Sequence, residues 1–211
     1  MGFWNKVTFS GSKSDNVVIF LRTHKDYNIF FGNIMKIILM MAITVDGKIA
    51  RSSDHFPDWT SEEDKKLFSK TTKEHGVVIM GEKTFKTFSK PLTDRLNVIF
   101  TLEKNPPKIE NVKWVSGEPE KVLAELEQIG YRSAVLGGGA NLNSQFLKKK
   151  LIDEIWLTIE PKIFGQGLGI FSGPASNASR SDAGWDFDQD LKLLSVEKIN
   201  EDSVVVKYRI V

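Results

Sequence analysis

The chain has 211 residues, a net charge of +2 and no cysteine. That leaves room for one domain with a substantial core, excludes disulfides, thiolate nucleophiles and cysteine-held metals, and gives no basic stripe of the kind nucleic-acid binding needs. The histidines, His24, His55 and His75, form no HExxH-like ligand pair, and no apolar run approaches the roughly 20 residues of a membrane helix; we expect no metal and a soluble, cytoplasmic protein.

Residues 1–34 are rich in Asn, Ser and isolated aromatics and show no sustained helical or strand period. Met35 then opens MKIILMMAITVDGKIA, a continuous apolar run of the sort that makes a buried central strand. The expected division is therefore an appended or mis-started extension over 1–34 and a domain over 35–211. Within that domain strands and helices alternate. Residues 37–43 read as a strand, 61–73 as an amphipathic helix, 76–81 as a short buried strand and 82–88 as a helix. Strands follow at 96–101 and 112–116. EPEKVLAELEQIG, 118–130, carries a helical stripe of Val122, Leu123, Leu126 and Ile129 ended by Gly130. SAVLGGGA, 133–140, is a strand running into glycines, and 143–151 is a helix whose Lys148, Lys149 and Lys150 suit its negative end. Residues 154–164 read as a strand. Residues 190–199 and 203–211 alternate around the turn NEDS as an antiparallel hairpin. The pattern predicts a three-layer α/β domain with a mainly parallel central sheet and an antiparallel C-terminal edge.

Two strand-to-helix junctions suggest a ligand crevice. In VLGGGAN, 135–141, glycines at a strand's carboxyl end let backbone approach a pyrophosphate, and the next helix offers free N–H groups. The run departs from G-x-G-x-x-G, because Leu142 stands where the last glycine should be, and it lacks a P-loop GK[ST]; a plain tight turn is the alternative. IMGEKTF, 79–85, repeats the arrangement, with Gly81 ending a strand and Thr84 in the first helical turn. In PDWTSEEDKKLF, 57–68, Thr60 or Ser61 caps a helix whose first turn holds Asp64. An acid there is favoured by the helix dipole and needs no function. Asp64 stands four residues before Phe68, however, which turns it toward the apolar side. A carboxylate in a partly apolar cleft has a raised pKa and can hold an amidine-like heterocycle by two hydrogen bonds.

The ordered series MAITVDGKIA, Trp59/Asp64/Phe68, VVIMGEKTF, KPLTDRLNVIFT, VLGGGAN and EIWLTIEPKIFGQG resembles the dihydrofolate reductase superfamily, including the reductase domain of bifunctional riboflavin-biosynthesis proteins. The resemblance spans 35–173 and more loosely reaches 211. It implies a dihydrofolate reductase-like fold and hydride transfer from a nicotinamide to a C=N carbon, with protonation of the adjacent nitrogen. Asp64 would then anchor and help protonate the substrate, Trp59 would order water beside it, and Thr158 would hydrogen-bond the acid. Ala42, Phe68, Phe88 and Arg95 would border or bind the substrate. Ile49, Gly81, Lys83, Thr84, Thr101, Gly137, Gly138, Gly139, Ala140 and Asn141 would line the cofactor site, and residues 50–58 would form a lid.

Some positions depart from the family. Glu82 replaces a basic residue that usually meets the cofactor's 2'-phosphate, and Leu102 and Ala140 offer that phosphate nothing. Lys83 or Lys104 could compensate, so NADPH is the expected cofactor and NADH remains open. Lys65 takes a usually apolar place beside the substrate. The Trp59/Asp64/Thr158 set points to dihydrofolate as substrate. The stretch 139–167 resembles instead the riboflavin-pathway enzymes, whose substrate is 5-amino-6-(5-phosphoribosylamino)uracil, although KTFSKPLTDRLN replaces the Asp-Asp-Pro loop they use. Dihydrofolate reduction is the first expectation, the pyrimidine reductase the alternative, and a non-catalytic nucleotide-binding module a reading of another class. The partners expected are a small molecule and, at most, a second copy of the chain.

Overall fold

The structure, a computed structural model, describes residues 19–22, 27–30, 35–172 and 188–211. Most of 1–34 lies outside the described residues. Within it β1 (Ile19–Arg22) and β2 (Tyr27–Phe30) pair antiparallel as a separate two-stranded sheet, a hairpin the sequence pattern did not reveal.

From Met35 onward the apolar runs become the middle of an eight-stranded sheet. The elements from Met35 on are β3 (Lys36–Thr44), β4 (Lys48–Ala50), α1 (Glu62–Glu74), β5 (Val77–Gly81), α2 (Glu82–Phe85), β6 (Leu96–Phe100), β7 (Val112–Val115), α3 (Pro119–Gln128), β8 (Ser133–Leu136), α4 (Ala140–Lys148), β9 (Glu154–Glu160), β10 (Leu168–Gly169), β11 (Leu191–Lys198) and β12 (Val204–Ile210). The strand order is β11-β12-β9-β3-β8-β5-β6-β7. From β9 to β7 every pairing is parallel, and β12 joins β9 and β11 antiparallel. This is the dihydrofolate reductase-like α/β fold expected from the sequence.

Because successive strand residues point to opposite faces, β5 divides the core. Val77 and Ile79 face a cluster with Leu123 and Leu126 of α3 and Phe146 of α4, while Val78 and Met80 face Phe68 of α1 and Phe85 of α2. Helices therefore cover both faces, as a buried parallel sheet requires. Chain direction then matters for the site. The segment leaving β3 runs toward β5, whereas that leaving β8 runs toward β9 on the other side of β3. Neighbouring strands whose connections diverge leave a crevice outside their carboxyl ends.

Element ends differ from expectation where a local bond decides them. β9 stops at Glu160 rather than 164, because Pro161 has no N–H for a ladder. α4 begins at Ala140, three residues early, with Gly139 as its N-cap. α2 ends at Phe85, where Lys86 closes the turn onto Glu82 O. The small β4–β10 sheet was not legible in the sequence.

Candidate active site

The carboxyl-terminal parts of β9 and β3 and the start of α1 meet at Asp64. Ser61 is the α1 N-cap, its Oγ accepting from Asp64 N at 3.2 Å, so the acid sits on the first helical turn as its spacing predicts. Asp64 is 8% exposed, and Thr158 of β9 and Thr60 donate hydroxyls to it. Burial pushes its carboxyl above the ordinary aspartate value; the Thr158 bond opposes that, and nearby Glu160 reinforces it. Ala42 of β3 is the register partner of Thr158, which places both beside the acid on one face of the sheet.

One turn along α1, Phe68 reaches the glycines: a Cβ on Gly137 would lie 3.2 Å from Phe68 Cζ. Its ring stacks with Phe88, centroids 6.5 Å apart. The i, i+4 pair thus does what its spacing suggested, with the carboxylate on Thr158 and the ring on the glycine run. Arg95 is buried, and its Nε donates to Thr93 O and Nη1 to Ser69 O, each at 2.7 Å, with a further Nη1 bond to Thr72 Oγ1. These bonds orient the guanidinium from within the protein.

The two glycine junctions meet. Gly81 N donates to Gly138 O at 2.8 Å, joining the start of α2 to that of α4. Gly138 has φ +93°, and a Cβ there would stand 3.1 Å from Met41 Sδ, so both backbone and neighbour demand glycine. A Cβ on Gly139 would come within 3.2 Å of Thr84 Oγ1. The result is bare backbone opening into α4, whose first turn has no side-chain cap. Such a cradle fits a dinucleotide's phosphates. Beneath it Asn143 is fully buried, its Nδ2 donating to Ile170 O at 2.8 Å and its Oδ1 without a partner among the described residues. Ala140 and Asn141 open α4; the Asn141 side chain accepts from Gln145 at 2.7 Å.

Glu82 stands where a 2'-phosphate-binding base was missing. It accepts from Thr101 Oγ1 and pairs with Lys86 at 2.5 Å; the Lys86 bond, then that of Thr101, holds its carboxyl below the ordinary glutamate value. Lys83 and Lys104 are exposed. Ile49 lies on β4. Trp59 packs edge-on against Phe164, centroids 5.1 Å apart, and its buried Nε1 has no partner among the described residues. Arg51 and His55 of the expected lid lie on the same Phe164 ring, at 4.0 and 5.6 Å.

Phe164, Met41 and Glu160 were not singled out from the sequence. Glu160 could have been, because it stands two residues after Thr158 on one strand and so shares its face. Among the described residues no group of three or more acids or histidines is placed to hold a metal ion, and no helix is long and apolar enough to cross a membrane.

The RibD C-terminal domain family matches residues 35–109 and 93–205, most of the chain. The chain belongs to that family. A curated protein of similar sequence, the uncharacterized protein YwjB of Bacillus subtilis (strain 168), is 28% identical over 144 residues, 64% of this chain and 82% of that protein. The diaminohydroxyphosphoribosylaminopyrimidine deaminase/5-amino-6-(5-phosphoribosylamino)uracil reductase of Thermotoga maritima superposes with a TM-score of 0.64 at 19% identity, covering 84% of this chain and 57% of that one. Dihydrofolate reductase from Enterococcus faecalis, complexed with NADP(H), gives 0.59 at 18% identity, covering 83% and 96%. Both likenesses are of fold. In this RibD-type domain the Asp64 cleft and the glycine cradle sit at the carboxyl ends of adjoining strands.

Proposed function

We propose that the chain is a nicotinamide-dependent reductase of an aminopyrimidine, with 5-amino-6-(5-phosphoribosylamino)uracil as its substrate. The observation that carries this reading is Asp64, a buried carboxyl held by two hydroxyls beside a bare glycine cradle, in a chain of the RibD C-terminal family. Family membership reorders the sequence expectation, which put dihydrofolate first. The Trp59/Asp64/Thr158 set keeps dihydrofolate as the second reading.

A dihydronicotinamide supplies the hydride when bound. Gly137–Gly139 and the uncapped start of α4 would hold its diphosphate, and Gly81, Thr84, Thr101, Ala140, Asn141 and Ile49 would line the rest of its site. Asp64 retains a proton to higher pH than a solvated aspartate; with one oxygen accepting a pyrimidine N–H, its protonated oxygen can deliver that proton to the exocyclic nitrogen of the ring-opened imine as the sugar C1' takes the hydride. Phe68 and Phe88 pack against the heterocycle, and Arg95 offers its internally braced guanidinium to an anionic substituent. Trp59 Nε1, buried without an acceptor among the described residues, is suited to hold water near Asp64. Glu82 stands against a 2'-phosphate, which leaves NADH a cofactor of equal standing with NADPH.

Loss of dihydronicotinamide absorbance, followed with each cofactor against the aminopyrimidine and against dihydrofolate, tests the proposal. Turnover of the aminopyrimidine supports it, and turnover of dihydrofolate alone replaces it with the second reading. Cofactor binding without turnover of either substrate leaves a nucleotide-binding module. We also propose that the domain starts at Met35; a native N-terminus at Met1 would contradict that.

A further inference from the structure

Ser61 and Asp64 form the S-x-x-D pattern of a capping box. In that motif the N-cap hydroxyl accepts from the acid's N–H, and the acid reaches back to accept the N-cap N–H. Only the first bond is made here, Asp64 N to Ser61 Oγ at 3.2 Å. The Ser61 N–H goes elsewhere, to Glu160 Oε1 at 2.7 Å, and Ser61 Oγ donates to the same oxygen at 2.7 Å. The other oxygen, Glu160 Oε2, accepts from Ser203 Oγ at 2.7 Å. Glu160 is 2% exposed, so three donors hold a buried carboxylate against the start of α1.

We propose that Glu160 is a positioning residue that displaces Asp64 from its own capping box: by taking the Ser61 N–H, it leaves the Asp64 carboxylate to turn inward onto Thr60 and Thr158. The catalytic value of that placement rests on the reductase reading, but the placement itself does not. The charged groups bearing on Asp64 are Glu160 from β9 and Lys65 from its own helix, and the Lys65 ammonium lies 3.1 Å from Glu62. Glu160 therefore acts twice, directing the carboxylate into the cleft and favouring its protonated form. A merely structural staple between α1, β9 and the C-terminal hairpin would do neither.

Glu160→Gln keeps a carbonyl oxygen for Ser61 and can donate to Ser203 Oγ, but it removes the charge. Glu160→Ala removes the acceptor as well. Crystal structures of both variants and a carboxyl-carbon NMR titration of Asp64, assigned with Asp64→Asn, separate the two roles. In Glu160→Ala the Asp64 carboxylate is expected to leave Thr158 and bond Ser61 N. In Glu160→Gln it stays on Thr158 and titrates on the order of one pH unit lower. Ser203→Ala, which weakens only the staple, should lower Tm and leave Asp64 in place. Asp64 remaining on Thr158 in Glu160→Ala, or an unchanged titration in Glu160→Gln, overturns the proposal. Should the alanine variant not fold, Glu160→Thr, whose side chain is too short to reach Ser61, decides the orientation. None of these readouts needs substrate. Re-orientation of Asp64 in a protein that turns over neither substrate would sink the reductase reading and leave the role of Glu160 standing.

Discussion

The two ends of the parallel strands each hold an aspartate, buried at Asp64 and half-buried at Asp153, whose carboxyl is raised chiefly by desolvation, and they use it differently. At the amino ends Asp153 accepts the Ile37 N–H at 2.7 Å, with Lys36 beside it. Lys36 pairs at 2.7 Å with Glu154, which also accepts from Trp156 Nε1 at 3.0 Å. At the carboxyl ends Asp64 meets hydroxyls and a second carboxylate, while Trp59 Nε1 and, beneath the glycine cradle, Asn143 Oδ1 have no partner among the described residues. A raised carboxyl alone therefore does not mark a site. What distinguishes Asp64 is that its hydrogen-bond partners are hydroxyls, at an end of the sheet where buried polar atoms have no partner among the described residues, whereas Asp153 closes a backbone ladder.

Asp64→Asn presses hardest on this contrast. It is expected to lower kcat/KM by about 10²–10⁴-fold, the usual share of a general acid. It should also raise Tm at neutral pH. The folded-state carboxyl lies above its ordinary value of 3.8, so the native state binds the extra proton and stability falls as pH rises through and beyond that value. The gain in Tm should accordingly disappear at lower pH, and a Tm lowered at neutral pH would break the contrast. Gly138→Ala comes next. Its positive φ and the Met41 contact predict a loss of about 2–4 kcal/mol in denaturant unfolding, together with loss of dinucleotide binding by calorimetry. Asp153→Ala, at the other end, leaves the Ile37 N–H unpaired and should cost about 1–3 kcal/mol while turnover of the folded protein stays unchanged. The smallest effect is expected from Glu82→Gln, a shift of up to about tenfold, or ~1.4 kcal/mol, toward NADPH in the ratio of cofactor affinities. No shift would mean that Lys86 and Thr101 already silence the acid.

Much of this was legible because local pattern and tertiary setting agree. The apolar run after Met35 becomes central β3, covered on both faces along Ile37–Met40, and the hairpin around NEDS forms as its alternation requires. Asp64 and Phe68 were legible as a pair because helical spacing fixes which side chains share a face. The short β1–β2 hairpin and β4–β10 carry no period long enough to read. Glu160 was passed over as one acid in an apolar strand, since its meaning depends on Ser61 and Ser203, 99 and 43 residues away in the chain. Long-range hydrogen bonds of that kind leave no periodic trace in a sequence.

The Ser203–Glu160 bond also says something about the order of synthesis. β12 closes the outer edge of β9, and Ser203, just before it, supplies one donor to Glu160, while Asn200 reaches Glu63 at 3.3 Å. A chain still emerging from the ribosome can build the glycine cradle, α1 and β9, yet it lacks these contacts until the β11–β12 hairpin has emerged as well. The glycine half of the cleft can thus assemble ahead of the acid half, which waits for that hairpin to pair with β9.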